Sequence, residues 1–250
     1  MKYTVRVVQK YHIAYGLLPF KRNQDVIRIH ELDRDKYILC VVDGWNHPKE
    51  ILSDGSGRQM ASIVAQEFPD TYLVAVGRDE KERADNAVFT LNTSLEKRFP
   101  RYTSCVASFL IHGGKKDDVV VSVGDVETYI WDGSRWYKPK EISDHWIDPT
   151  KYPTDVSKTD VSRFFGCFER YIHPEFSCDP DVMTIPSGKP ILIATDGIKD
   201  VLTIGDINTL GVNPTNASAR EIVETILHEV SRRGTQRDDI SLLVRGLDKP

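Results

Sequence analysis

The chain is 250 residues long, hydrophobic residues make up 40% of it, and 33 Lys and Arg against 37 Asp and Glu give a net charge of −4. This composition supports a large buried core and argues against long disordered or collagen-like segments. The slight excess of acid argues against non-specific binding to nucleic acid, which needs a basic face. No apolar run approaches the roughly 18 residues of a membrane helix, and the N-terminal residues lack the apolar stretch of a signal peptide. We therefore expect a cytoplasmic protein with no nucleic-acid partner and no membrane association, whose oligomeric state stays open.

The cysteines fit a reducing compartment. Cys40, Cys105, Cys167 and Cys178 form no CxxC pair, which argues against a zinc site. Cys40 and Cys105 lie inside apolar runs and are predicted to be buried thiols.

Short segments rich in Val, Ile and Tyr predict strands, because Gly, Asp or Lys bounds each of them. In chain order the predicted strands are 3–8, 26–30, 37–42, 105–111, 119–123, 127–131, 190–194 and 240–244. An Asp-Gly turn at Asp132-Gly133 predicts a hairpin, and residues 119–137 are predicted to form an antiparallel meander.

Three segments, 57–68, 82–99 and 217–233, carry apolar residues three or four positions apart and are predicted to be helices. Gly234 after two arginines is a typical end for the third helix. The strands cluster in runs and the helices come separately. This order favours an α+β fold, with antiparallel sheets covered by helices, in one domain spanning residues 1–250.

The most informative feature is a set of acidic residues at the ends of predicted strands. Its members are Asp25, Asp43, Asp125, Asp196, Asp238 and Asp239, and glycine stands beside Asp43, Asp125 and Asp196. Each Asp-Gly pair alone is a common turn. Adjacent strands lie about 4.8 Å apart, however, so carboxylates gathered at their ends would repel one another unless cations neutralise them. Mg²⁺ and Mn²⁺ prefer such oxygen ligands, and Gly44 would let its own carbonyl approach a metal.

Several short motifs carry a resemblance to a known family. The segments are 22–25, 41–44, 57–62, 123–125, 142–145, 193–202 and 237–241. Residues 193–202, IATDGIKDVL, are similar to L-A-T-D-G-L-x-D-V-L and form the most specific match. In this order the motifs resemble the metal-dependent Ser/Thr protein phosphatases of type 2C, the PPM family.

The resemblance implies a four-layer α-β-β-α sandwich of two antiparallel sheets flanked by helices. It implies hydrolysis of phosphoserine and phosphothreonine in a phosphoprotein substrate, by a water that bridges two Mg²⁺ or Mn²⁺ ions. Some family members bind a third ion. The implied catalytic residues are Asp43, Asp196 and Asp238, and no protein nucleophile is needed.

The implied metal ligands are the same three carboxylates and the Gly44 carbonyl, with Asp43 bridging both ions. Gln24 and Asp25 would hold metal-bound waters, Asp239 would lie close behind the ligands, and Asp125 would lie at the edge of the site, where a third ion would bind with Asp196.

Some positions depart from the family pattern. Trp45-Asn46-His47 follows Asp43-Gly44, so His47 or a metal-bound water is the candidate proton donor. Phe20 stands where a phosphate-binding Arg is common, and Lys21 or Arg22 would substitute for it or be solvated. These departures keep open an alternative: a pseudophosphatase that retains the fold and acts as a partner-binding or regulatory protein.

Overall fold

The computed structural model of the protein describes residues 3–19, 24–46, 56–99, 103–114, 117–143, 163–166, 177–234 and 238–247. In this part of the chain the strands form two six-stranded antiparallel sheets. Sheet 1 consists of β1 (Thr4–Val8), β2 (Ile13–Leu18), β7 (Glu127–Trp131), β8 (Trp136–Tyr137), β11 (Ile191–Ala194) and β12 (Ile240–Arg245), in the spatial order β1-β2-β12-β11-β7-β8.

Sheet 2 consists of β3 (Val26–Asp33), β4 (Lys36–Asn46), β5 (Thr103–His112), β6 (Asp117–Val123), β9 (Phe165–Gly166) and β10 (Asp181–Pro186). Its spatial order is β10-β6-β5-β4-β3, and the short β9 pairs with β5. The helices are α1 (Ser56–Val74), α2 (Glu80–Arg98), α3 (Ile204–Thr209) and α4 (Ala219–Arg233). None of the helices in the described ranges is long and apolar enough to cross a membrane.

Three apolar layers hold the elements together. One lies between sheet 2 and helices α1 and α2, another between sheet 1 and helices α3 and α4, and the third between the two sheets. In β4, Cys40 and Val42 face the helices whereas Leu39 and Val41 face the other sheet. Strands buried on both faces therefore carry continuous apolar runs. The predicted α-β-β-α sandwich is confirmed.

Polar contacts also cross the layer between the sheets. The Arg245 guanidinium of β12 donates to Asp118 of β6 over 2.6 Å, and both side chains are buried. Ser108 of β5 and Thr128 of β7 hydrogen-bond at 2.9 Å. Another contact, from Thr195 to Asp25, belongs to the candidate site. These contacts fix how one sheet lies on the other, because a buried polar group that lost its partner would destabilise the fold.

Two local predictions were wrong. Residues 119–137 do not form a meander, because β6 pairs within sheet 2 and β7 within sheet 1. The chain changes sheets between them, where Val126 is buried in the layer between the sheets. Strand β4 also continues through Asp43 and Gly44 to Asn46, so Asp43 lies inside a strand and not in a turn after it. The predicted β7–β8 hairpin is correct.

Candidate active site

The acidic residues predicted from the sequence come together where the two sheets meet. Sheet 2 contributes Asp43 from β4, Asp25 from the residue before β3, and Asp125 from just after β6. Sheet 1 contributes Asp196 from the turn after β11 and Asp238 from just before β12. The charges of Asp25, Asp125, Asp196 and Asp238 all act on the Asp43 carboxyl, so these side chains surround it.

Two glycines allow this convergence. A Cβ atom on Gly44 would lie 2.5 Å from the carbonyl oxygen of Gly57 and 2.9 Å from that of Gln24. A Cβ atom on Gly197 would lie 2.3 Å from the carbonyl oxygen of Asp239. In both places the absent side chain lets a backbone that carries an acidic residue pack directly beside another. The Asp-Gly pairs are therefore more than turns.

Thr195 connects the two halves of the site. Its hydroxyl donates a hydrogen bond of 2.8 Å to the Asp25 carboxylate across the sheets and accepts one of 2.9 Å from the Ser241 amide of β12. On the same side, the Gln24 backbone amide donates to Asp239 over 3.0 Å. Asp25 and Asp239 are both buried and are held in fixed positions by these contacts.

The electrostatics of the site favour protonated carboxyls when no cation is present. Desolvation, followed by the charges of Asp25 and Asp196, raises the pKa of Asp43 well above its ordinary value. Burial raises the pKa of Asp25 to about 7, against the Thr195 hydrogen bond that lowers it. Burial also raises the pKa of Asp196, and that of Asp238 to about 6. The Asp43 carboxyl lies near enough to those of Asp25 and Asp196 to interact with both.

Lysines neutralise one side of the acidic residues. The Lys199 ammonium lies 2.9 Å from Glu127 and 3.8 Å from Asp125, and both carboxylates are buried. Lys138 lies 3.2 Å from Glu127. The Lys199 charge also lowers the pKa of Asp196.

The donor atoms suit a hard divalent cation. They are carboxylate oxygens, and the Oδ1 atom of Asp196 is buried and accepts no hydrogen bond from the described residues. Among the described residues, however, no group of three or more His, Cys, Asp or Glu side chains is placed so that it could hold a metal ion. Because burial raises the pKa of these carboxyls, an ion would have to displace protons from them.

Some predicted residues cannot be placed in this site. Lys21, Arg22 and His47 lie outside the described residues. Gln24 contacts Asp239 through its backbone amide and not through its side chain. Cys40 and Cys105 are buried free thiols, as predicted, and Cys178 is a third one.

Sequence reasoning missed three side chains that the fold brings to the site: Thr195, Glu127 and Lys199. Thr195 follows an apolar run and Glu127 starts a strand, so neither stands out before the fold is known. Lys199 lies three residues after Asp196 within the most specific motif, and this spacing is the one signal that could have drawn attention to it.

Solved structures share this fold. A serine/threonine phosphatase from S. agalactiae matches with a TM-score of 0.72 and 13% identity, covering 94% of this chain and 100% of that one. The catalytic domain of the phosphatase PstP, in complex with two manganese ions, matches with a TM-score of 0.65 and 12% identity, covering 99% and 100%. A sex determining protein of C. elegans matches with a TM-score of 0.71 and 16% identity, covering 98% and 67%.

The chain therefore has the fold of the PPM serine/threonine phosphatases. No protein-family model and no curated protein matches the sequence. The identities are low, and proteins of one fold differ in function. The fold alone therefore does not establish the reaction of this protein, which depends on the residues of the site.

Proposed function

We propose that this protein is a metal-dependent phosphatase that hydrolyses phosphoserine and phosphothreonine in proteins. The observation that carries the proposal is the convergence of Asp43, Asp196 and Asp238 from opposite sheets at one position of a phosphatase fold. Carboxylates gathered from two sheets repel one another and are costly as a purely structural device, and this favours a role in binding cations.

Asp43, Asp196, Asp238 and the Gly44 carbonyl would hold two Mg²⁺ or Mn²⁺ ions. The bound ions would neutralise the phosphoryl oxygens and lower the pKa of a water that attacks phosphorus. The PstP structure, with its two manganese ions, supports the choice of Mn²⁺ as the first ion to test.

The other side chains prepare the site. Burial raises the pKa of Asp43, Asp25 and Asp196, so ion binding is expected to release protons to solvent. Asp25 is fixed by Thr195 and Asp239 by the Gln24 amide, and both would orient water beside the ions. Cys40 and Cys105 take no part, because both are buried and burial raises the pKa of each thiol.

The test is hydrolysis of p-nitrophenyl phosphate and of a phosphothreonine peptide with Mn²⁺, then with EDTA. Asp43→Asn and Asp196→Asn are each expected to lower kcat/KM by at least about 100-fold, because each removes a ligand charge. Asp85→Asn is the matched control, since Asp85 lies on the outer surface of α2 beside Lys81. Activity that survives EDTA and both site variants would reject the proposal.

A second candidate is a binding protein of the same fold without turnover. Trp45 after Gly44 favours it, since indole cannot supply the proton that a leaving group needs. Calorimetry with Mn²⁺ beside a turnover assay separates the two functions. Metal binding with no hydrolysis of any phosphopeptide would favour the second.

A further inference from the structure

Lys199 is placed as a fixed cation at the edge of the acidic residues. It follows Asp196 by three residues, and its backbone amide donates to the Asp196 carbonyl over 2.7 Å. The 3₁₀ turn Asp196–Ile198 therefore fixes the backbone of Lys199, and Glu127 and Asp125 bind its ammonium group. Three quarters of the side chain is buried.

Lys199 supplies the positive charge that two buried carboxylates need. Asp125 is 6% and Glu127 2% exposed, and an unpaired charge at such a position is strongly unfavourable. The Lys199 ammonium lies near both of them, and its charge also acts on Asp196. Lys199 thus interacts with Asp125 and with Asp196, the two side chains that a further ion would need together.

We propose that Lys199 serves as a built-in cation that closes the Asp125 side of the site, so that the protein binds two divalent ions and no third. This inference rests on the proposed function. A divalent ion on Asp125 would compete with the Lys199 ammonium, which lies 3.8 Å from that carboxylate, and the two cations would repel each other. Lys199 is thereby a positioning residue that fixes the number of ions.

Lys138 provides a matched control within the same network. It also pairs with Glu127, at 3.2 Å, from β8's neighbouring segment. Its removal takes away one positive charge from the network but leaves the contact between Lys199 and Asp125. If total charge alone mattered, both lysine variants would behave alike. If position matters, only Lys199 variants would change the ion count.

The experiment counts Mn²⁺ bound to the full chain, by titration calorimetry and by electron paramagnetic resonance of free Mn²⁺ after equilibrium dialysis. We expect two ions for the wild type, for Lys138→Met and for Lys199→Arg, which keeps the charge. We expect three for Lys199→Met, with the third ion bound at least ten-fold more tightly than any additional ion on the wild type. Adding Asp125→Asn to Lys199→Met should remove the third ion again.

The outcomes separate the two proposals. A wild type that binds two ions beside a folded Lys199→Met that also binds two overturns the role of Lys199 and leaves the phosphatase proposal standing. A wild type that binds no Mn²⁺ overturns both. Should Lys199→Met fail to fold, Lys199→Gln takes its place, and the wild type alone still decides, because a third specific ion on it contradicts the inference.

Discussion

The Asp25 carboxyl is expected to make the metal-free protein less stable as the pH rises. Asp25 is 3% exposed, and burial raises its pKa from 3.8 to about 7 in the folded protein. Because this folded-state value lies above the unfolded one, the contribution to stability is complete below pH 3.8 and is lost as the pH rises through 7. The shift corresponds to on the order of 4 kcal/mol, of which roughly 2 to 3 kcal/mol falls between pH 5 and pH 8.

For a chain of this length, that loss lowers the Tm by about 5 °C. The assay is thermal and urea unfolding of EDTA-treated protein across this pH range, with Asp25→Asn as the comparison, because its amide does not titrate. The wild type should lose stability relative to Asp25→Asn as the pH rises, and Asp85→Asn should follow the wild type. With excess Mn²⁺ the wild-type trend should reverse, because ions bind ionised carboxylates better. Parallel profiles of wild type and Asp25→Asn in EDTA would refute the reasoning.

Three further substitutions test the packing around and behind the site. Gly44→Ala places a Cβ atom 2.5 Å from the Gly57 carbonyl oxygen. It should lower the free energy of unfolding in urea by about 1 to 3 kcal/mol and weaken Mn²⁺ binding in calorimetry. Unchanged Mn²⁺ affinity would contradict the close packing. Asp118→Ala leaves the buried Arg245 guanidinium without its carboxylate and should lower the free energy of unfolding by about 3 to 5 kcal/mol, a loss absent if the pair were solvated. Ser218→Ala removes the capping box of α4 and should cost about 1 kcal/mol in urea unfolding, while Mn²⁺ binding stays unchanged.

Much of the fold follows from local sequence because most strands are buried on both faces. Strand β7 was predicted with its observed bounds, and α4 was predicted to within two residues, since a capping box and Gly234 mark its ends. Strand β2 was missed because Gly16 interrupts its apolar pattern, and β10 because several of its residues are half-exposed. The change of sheet after β6 could not be predicted, because the hairpin rules consider only neighbouring strands.

That the acidic residues come together was predictable because each stands next to an apolar strand in a recognisable motif, although Asp43 lies inside β4 and not at its end. Their companions were not. Thr195 meets Asp25 across 170 residues of sequence, and nothing local to either residue indicates the pairing. The position of Lys199 is explained by its ion pair with Glu127. This pair forms because β7 lies beside β11 in sheet 1, which the sequence does not indicate. The metal-binding roles, the single domain and the cytoplasmic location stay predictions.

The division of the acidic residues between the two sheets has a mechanical consequence. Asp25 and Asp43 belong to one sheet and Asp196 and Asp238 to the other, so a cation held by them would cross-link the two sheets. Chelation would then weaken the contact between the sheets at that end, while the ion pair of Asp118 and Arg245 still joins them elsewhere. The sheets would separate locally at the acidic end, and hydrogen exchange should rise first in the strands that carry the acidic residues.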